Sequence, residues 1–155
     1  MRWMRWAALA ASLSPSGCRF GDRDLPGPYR RLEVPAEGLV SRETRNQGRV
    51  IFHLRCVLCH GELGDGRGVR ARDLSPQPRN LTDLEWQART DARHIYYAIA
   101  EGRQGTAMPS WKPTLNAGEI WSLVAYVRTL APQAPGIEDS DTARPAAPAP
   151  QPRER

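Results

Sequence analysis

The sequence predicts an all-α fold. Ile120, Leu123, Val124, Val127 and Leu130 repeat at steps of three, one, three and three, which places them on one stripe of a helix. Two further segments begin at capping residues and carry apolar side chains at helical spacing. No run alternates apolar and polar residues as a strand would, and there is no internal repeat.

The elements follow in chain order. Residues 1–17 read MRWMRWAALAASLSPSG, with Arg2 and Arg5 ahead of a short apolar stretch and small residues at its end. This is the pattern of an export signal, and it is too short to span a bilayer as a stable helix. Cys18 follows Ser16-Gly17 as at a bacterial lipoprotein cleavage site, although Pro15 stands where such sites prefer Leu. A lipid on Cys18 is favoured over a plain signal peptide with an incidental cysteine, because this thiol has no partner in the sequence. Residues 18–40, with Pro26, Pro28 and Pro35, read as a lipid anchor and flexible tether.

The folded domain is expected over residues 41–131. Ser41 is a candidate N-cap for a helix running into Arg55, and Gly48 inside that helix costs about 1 kcal/mol relative to Ala unless packing requires it. A second helix should begin near Thr90 or Asp91 and stop at Gly102. The last helix should start at a capping box, Asn116 with Glu119, and end before Pro132. Residues 132–155, rich in Pro, Ala and Arg, read as a disordered tail.

The chemistry lies in Cys56-Val57-Leu58-Cys59-His60. Two cysteines three apart share one face of a helical turn, where both sulfurs can meet the two vinyl groups of one haem edge. His60 then presents an imidazole to the iron. A zinc site would need four ligands, and Cys18, His53 and His94 supply no second paired spacing. A thioredoxin-like redox pair would need a βαβ frame that the sequence lacks. The chain carries Lys+Arg 22 against Asp+Glu 17, net +5. Its basic residues are scattered without aromatic interleaving, which gives nucleic-acid binding no support.

For a second axial ligand the candidates are Met108, His53 and His94. His53 stands seven residues before His60 on the approaching helix and cannot reach the other haem face. His94 reads as a surface or propionate-adjacent histidine. Met108 lies in an inter-helix loop, Gly105-Thr106-Ala107-Met108-Pro109-Ser110-Trp111, where Pro109 biases it toward extended backbone. It is the favoured ligand over a role as core filler.

These residues carry a resemblance to the bacterial class I, single-haem cytochromes c. It covers 41–131 and rests on Gly48-x-x-x-Phe52, CVLCHG, the Gly64-Asp65-Gly66 loop, PRNLT at 78–82, GTAMPSW and EIWSLVAYVRTL. The resemblance implies a small fold of three to five helices around one covalently bound haem c and its iron, with N- and C-terminal helices crossing at Gly48 and Phe52 packing on Tyr126. It implies thioethers at Cys56 and Cys59, and iron ligation by His60 and Met108. It further implies a hydrogen bond from His60 to the carbonyl of Pro78, with Arg79 and Trp111 in the haem environment.

With both axial positions filled, the expected activity is single-electron transfer, not enzymatic turnover at the metal. The expected partners are a redox protein donor and acceptor among membrane respiratory complexes, met on the periplasmic side of the cytoplasmic membrane through the lipid anchor. The alternatives are a haem subunit of a larger respiratory or nitrogen-oxide-reducing complex, and a haem sensor or enzyme with a labile sixth ligand.

Overall fold

A computed structural model describes residues 25–131. The expected leader 1–17, Cys18 and the tail 132–155 lie outside the described residues. Among the described residues the fold is all-helical. The elements are α1 (Gly27–Arg30), α2 (Ala36–Val40), α3 (Arg42–Arg55), α4 (Val57–His60), a 3-10 turn at Ala71–Asp73, α5 (Leu84–Arg89), α6 (Ala92–Glu101) and α7 (Ala117–Thr129).

The three long helices start where their capping side chains dictate. Ser41 Oγ accepts from the Thr44 amide at the head of α3, and Asp91 accepts from the His94 amide at the head of α6. At α7 the Asn116 side chain accepts from the Glu119 amide while Glu119 accepts from the Asn116 amide, a closed capping box. Gly102, at φ 73°, ends α6 in a conformation that favours glycine.

Helices α3 and α7 cross at Gly48. A Cβ there would fall 1.9 Å from the Ser122 carbonyl oxygen and 2.9 Å from Tyr126 Cβ, so only glycine permits the approach. Next to the crossing, Phe52 packs on Tyr126 with ring centroids 5.3 Å apart, and Ser122 Oγ donates to Gln47 across the interface. Ile120, Leu123, Val124 and Val127 of α7 are buried with Phe52, Ile95 and Ile99 in one core.

Two segments differ from expectation. The region expected as tether is packed from Leu25 onward: Leu25 is 3% exposed, α1 packs on α6, and α2 packs on α7 and α3. Tyr29 donates to Glu101 and stacks on Tyr97 at 4.8 Å, and Arg93 Nε donates to the Leu32 carbonyl at 2.8 Å. Three prolines break this stretch into pieces too short for a periodic signal, but its apolar side chains still bind the finished surface. The second segment is α5, which the reading of the sequence omitted. Asp83 caps it by accepting from the Trp86 amide, and Gln87 ties it to the rest by donating to the Leu81 and Val127 carbonyls, both at 2.8 Å.

Candidate haem site

The turn carrying the two paired cysteines is held by its own loop. Cys56 is at once the C-cap of α3 and the N-cap of α4, with φ −112°. The carbonyls of Leu58, Cys59 and His60, which a four-residue helix leaves without intrahelical partners, accept from the amides of Arg70, Gly68 and Gly66. Gly66 has φ 81° and lies against the Pro78 carbonyl, where a Cβ would come within 2.5 Å. The glycine loop therefore wraps the motif and brings residues 78–79 to it.

That wrapping decides which carbonyl meets the histidine. His60 Nδ1 faces the Arg79 carbonyl at 3.2 Å, while the Pro78 carbonyl points to Gly66. The partner expected at Pro78 thus lies one residue further on, because Pro78 is used to pack the loop. Burial lowers the His60 pKa against the opposing effect of the Arg79 carbonyl, so the ring is neutral at pH 7. With Nδ1–H donating to Arg79, the lone pair is on Nε2, the state in which imidazole binds a metal.

His60 opens onto a cavity of about 320 Å³. One wall comes from α3 and α4, with Phe52, Cys56 and His60; another comes from α6 and the loop after it, with His94, Ile95, Ile99 and Met108. Leu81, Leu123 and Val127 add apolar surface, while Arg79, Arg89, Thr90 and Arg103 supply the polar part of the lining. Met108 reaches this wall because its loop is pinned to the end of α6. Its carbonyl accepts from the Arg103 amide, its amide donates to Thr106 Oγ1, and the Trp111 amide donates to the Ile99 carbonyl.

Cys56, His60, Arg79 and Met108 therefore share one cavity. Cys59 is half-buried beside it without lining it, and Trp111 packs against the core next to it. Cys18 lies outside the described residues. Trp86, Arg89 and Arg103 join the lining without a motif of their own; only the position of Trp86 and Arg89 after PRNLT, and of Arg103 just before GTAMPSW, could flag them.

The donor set suits a haem better than the rival groups. Burial, with Cys59 adding to it, pushes the Cys56 thiol up to about 12, the opposite of what a redox-active or metal-binding thiolate needs. Among the described residues no three His, Cys, Asp or Glu side chains cluster as a metal site. Among the described residues, the buried His94 Nε2 has no hydrogen-bond partner.

Comparison with known proteins agrees with this geometry. Residues 43–127 match the family model described as cytochrome C oxidase, cbb3-type, subunit III. Over 84 residues the chain is 33% identical to the cbb3-type cytochrome c oxidase subunit FixP of Bradyrhizobium diazoefficiens and 34% identical to subunit CcoP of Cereibacter sphaeroides. Each alignment covers 54% of this chain and 27% of the relative, so the chain spans about a quarter of these curated proteins. Among solved structures, a chain of the reducing HAO-like protein complex of Kuenenia stuttgartiensis superposes with a TM-score of 0.53 at 27% identity, covering 59% of this chain and 46% of that one. Residues 43–127, spanning the α3/α7 crossing and the walls of the cavity, thus place the chain in the cbb3-type cytochrome c oxidase subunit III family, as a monohaem c-type cytochrome domain.

Proposed function

We propose that this domain is a single-electron carrier that binds one haem c through thioethers at Cys56 and Cys59, with His60 and Met108 as axial ligands. The observation that carries the reading is the meeting of Cys56, His60 and Met108 at one cavity, although Met108 comes from a loop 48 residues past His60. When bound, haem supplies an iron that cycles between ferric and ferrous states. The protein's own residues do the rest. Arg79 orients His60 through its carbonyl, the pinned loop presents Met108, and Phe52, Leu81, Leu123 and Val127 keep water from the iron. Arg79, Arg89 and Arg103 set positive charge where haem carboxylates can be met. A Met108 sulfur on the iron would favour the ferrous state and leave no open position for a substrate.

The test is direct. The mature protein should carry one haem by mass, and its oxidised spectrum should show an Fe–S(Met) charge-transfer band that Met108→Ala removes. A spectrum unchanged by Met108→Ala would point instead to a sensor or enzyme with another sixth ligand.

The donor and acceptor are placed among membrane-associated respiratory proteins on the periplasmic side, with lipid on Cys18 holding the domain nearby. Mass spectrometry of the mature N-terminus tests the anchor. A second reading follows from the curated relatives, which are named as oxidase subunits: this chain would be a haem subunit of a larger complex. Stoichiometric co-purification with a membrane oxidase would favour that reading over a shuttle.

A further inference from the structure

Residues 25–40 lie ahead of the family match at 43–127, yet they are built into the domain as a strap across α6. Helix α6 is occupied on two faces. His94, Ile95, Ala98 and Ile99 line the cavity, whereas Arg93, Tyr97 and Glu101, at steps of four, meet the strap. The strap runs antiparallel to the helix. Tyr29 reaches Tyr97 and Glu101 near the end of α6, and the Leu32 carbonyl accepts from Arg93 near its start.

The last turn of α6 is also where the Met108 loop is fastened. The Ala100 carbonyl accepts from the Lys112 amide at 3.1 Å and from Ser110 Oγ at 2.6 Å, and the Ile99 carbonyl accepts from the Trp111 amide at 3.1 Å. Gly102 packs against the carbonyls of Met108 and Pro109. Glu101 stands between strap and loop. Its Oε1 accepts from the Tyr29 hydroxyl on one side and from Lys112 Nζ, at 3.1 Å, on the other. Burial, and then the Glu101 carboxylate, raises the Tyr29 pKa, so the phenol stays a donor across the neutral range.

An ion pair as exposed as Glu101–Lys112, with side chains 36% and 65% exposed, contributes little while both partners are free to move. Tyr29 changes that balance. Its ring is packed on Tyr97 and Tyr96, so its hydroxyl holds the carboxylate in place, and Glu101 is already ordered when Lys112 meets it. For another ligand to take the place of Met108, the loop must lift from the end of α6 and give up the fixed carboxylate. A contact made only in the seated state favours that state. We propose that Tyr29 is a positioning residue for the sixth ligand: through Glu101 and Lys112 it holds the Met108 loop on α6 and so resists displacement of the Met108 sulfur from the iron. This role rests on the haem reading above.

The experiment is an imidazole titration of the oxidised, haem-loaded full chain, followed by loss of the Fe–S(Met) band. Tyr29→Phe keeps the stacked ring and removes the donor. Imidazole should bind it about three- to tenfold more tightly than the parent, the worth of one hydrogen bond. Lys112→Met should show a similar gain, and adding Tyr29→Phe to it should gain nothing more, since both act along one path. Arg128→Met, which loosens α7 and α5 instead, is the reference for general destabilisation and should bind imidazole as the parent does. Parental affinity in Tyr29→Phe, additive gains in the double variant, or an equal gain in Arg128→Met each overturns the proposal. If Tyr29→Phe fails to load haem, Glu101→Gln, which weakens both bonds, should show the gain, and parental affinity there is decisive against it. A parent with covalent haem but no Fe–S(Met) band overturns the Met108 reading itself, and its spectrum reveals that before any imidazole is added.

Discussion

Gly48 and Ser122 touch backbone to backbone: a Cβ on Gly48 would stand 1.9 Å from the Ser122 carbonyl oxygen. This contact sets the spacing of α3 and α7, and through α3 it sets the position of Cys56 and the turn that follows. Gly48→Ala improves helix propensity by about 1 kcal/mol at a free surface site. Here it should instead destabilise by about 2–3 kcal/mol, because backbone cannot step aside as a side chain can. Thermal unfolding should show a midpoint roughly 10–20 °C lower.

Arg128 braces α7 to α5. Its guanidinium donates to the Gln87 carbonyl, the Gln87 side chain and the Thr90 carbonyl, and burial lowers its pKa against the opposing effect of Asp91. Arg128→Met keeps much of the apolar stem but leaves acceptors at Gln87 and Thr90 unpaired. A loss of about 2–3 kcal/mol is expected by denaturant titration. Hydrogen exchange should rise first in Leu84–Arg89, which depends most on this brace.

The N-terminal strap should respond to pH through Tyr29 and Glu101. The hydrogen bond from Tyr29, then that from Lys112, holds the Glu101 carboxyl below its usual value of 4.5. A depressed folded pKa contributes stability above the unfolded value and loses it as pH falls through the folded one. Tyr29→Phe should therefore lower stability near pH 7, and parent and variant should converge below about pH 4.5 as Glu101 protonates. Equal differences at both ends of the range would mean that Tyr29 acts through ring packing alone.

The cysteines should be separable by mass. In the haem reading, Cys59→Ala leaves one thioether and a singly attached haem, whereas replacing both cysteines leaves a haem that denaturation releases. The carbonyl of Arg79 cannot be deleted by a side-chain change. Gly66→Ala, however, would push the Pro78 carbonyl and shift the 78–79 segment. Its expected signature is a 10–100-fold loss in retention of non-covalent haem in the double-cysteine background, on the order typical of groups that orient a metal ligand.

Much of the fold was legible because its signals are local. A cap lies within three residues of the amide it serves, so Ser41, Asp91 and Asn116 could be read in place, and the α7 stripe follows from residue spacing alone. The paired cysteines and His60 were equally plain, since one helical turn holds them together. Helix α5 was missed because six residues are too few to show a period. The strap from Leu25 to Val40 was missed because its prolines look like linker, and its order depends on surfaces of α6 and α7 that exist only once the core has formed.

The sequence by itself determined the helical class, the long-helix boundaries, the cysteine-histidine motif and the identity of Met108 as a candidate ligand, all consequences of short-range covalent and steric rules. Only the tertiary structure decided that Arg79 and not Pro78 faces His60, that His94 and Met108 line one cavity with His60, and that the supposed tether is partly built into the domain. Those outcomes depend on which backbone groups a glycine loop or a helix crossing leaves available. Packing between distant segments settles that, and residue spacing carries no record of it.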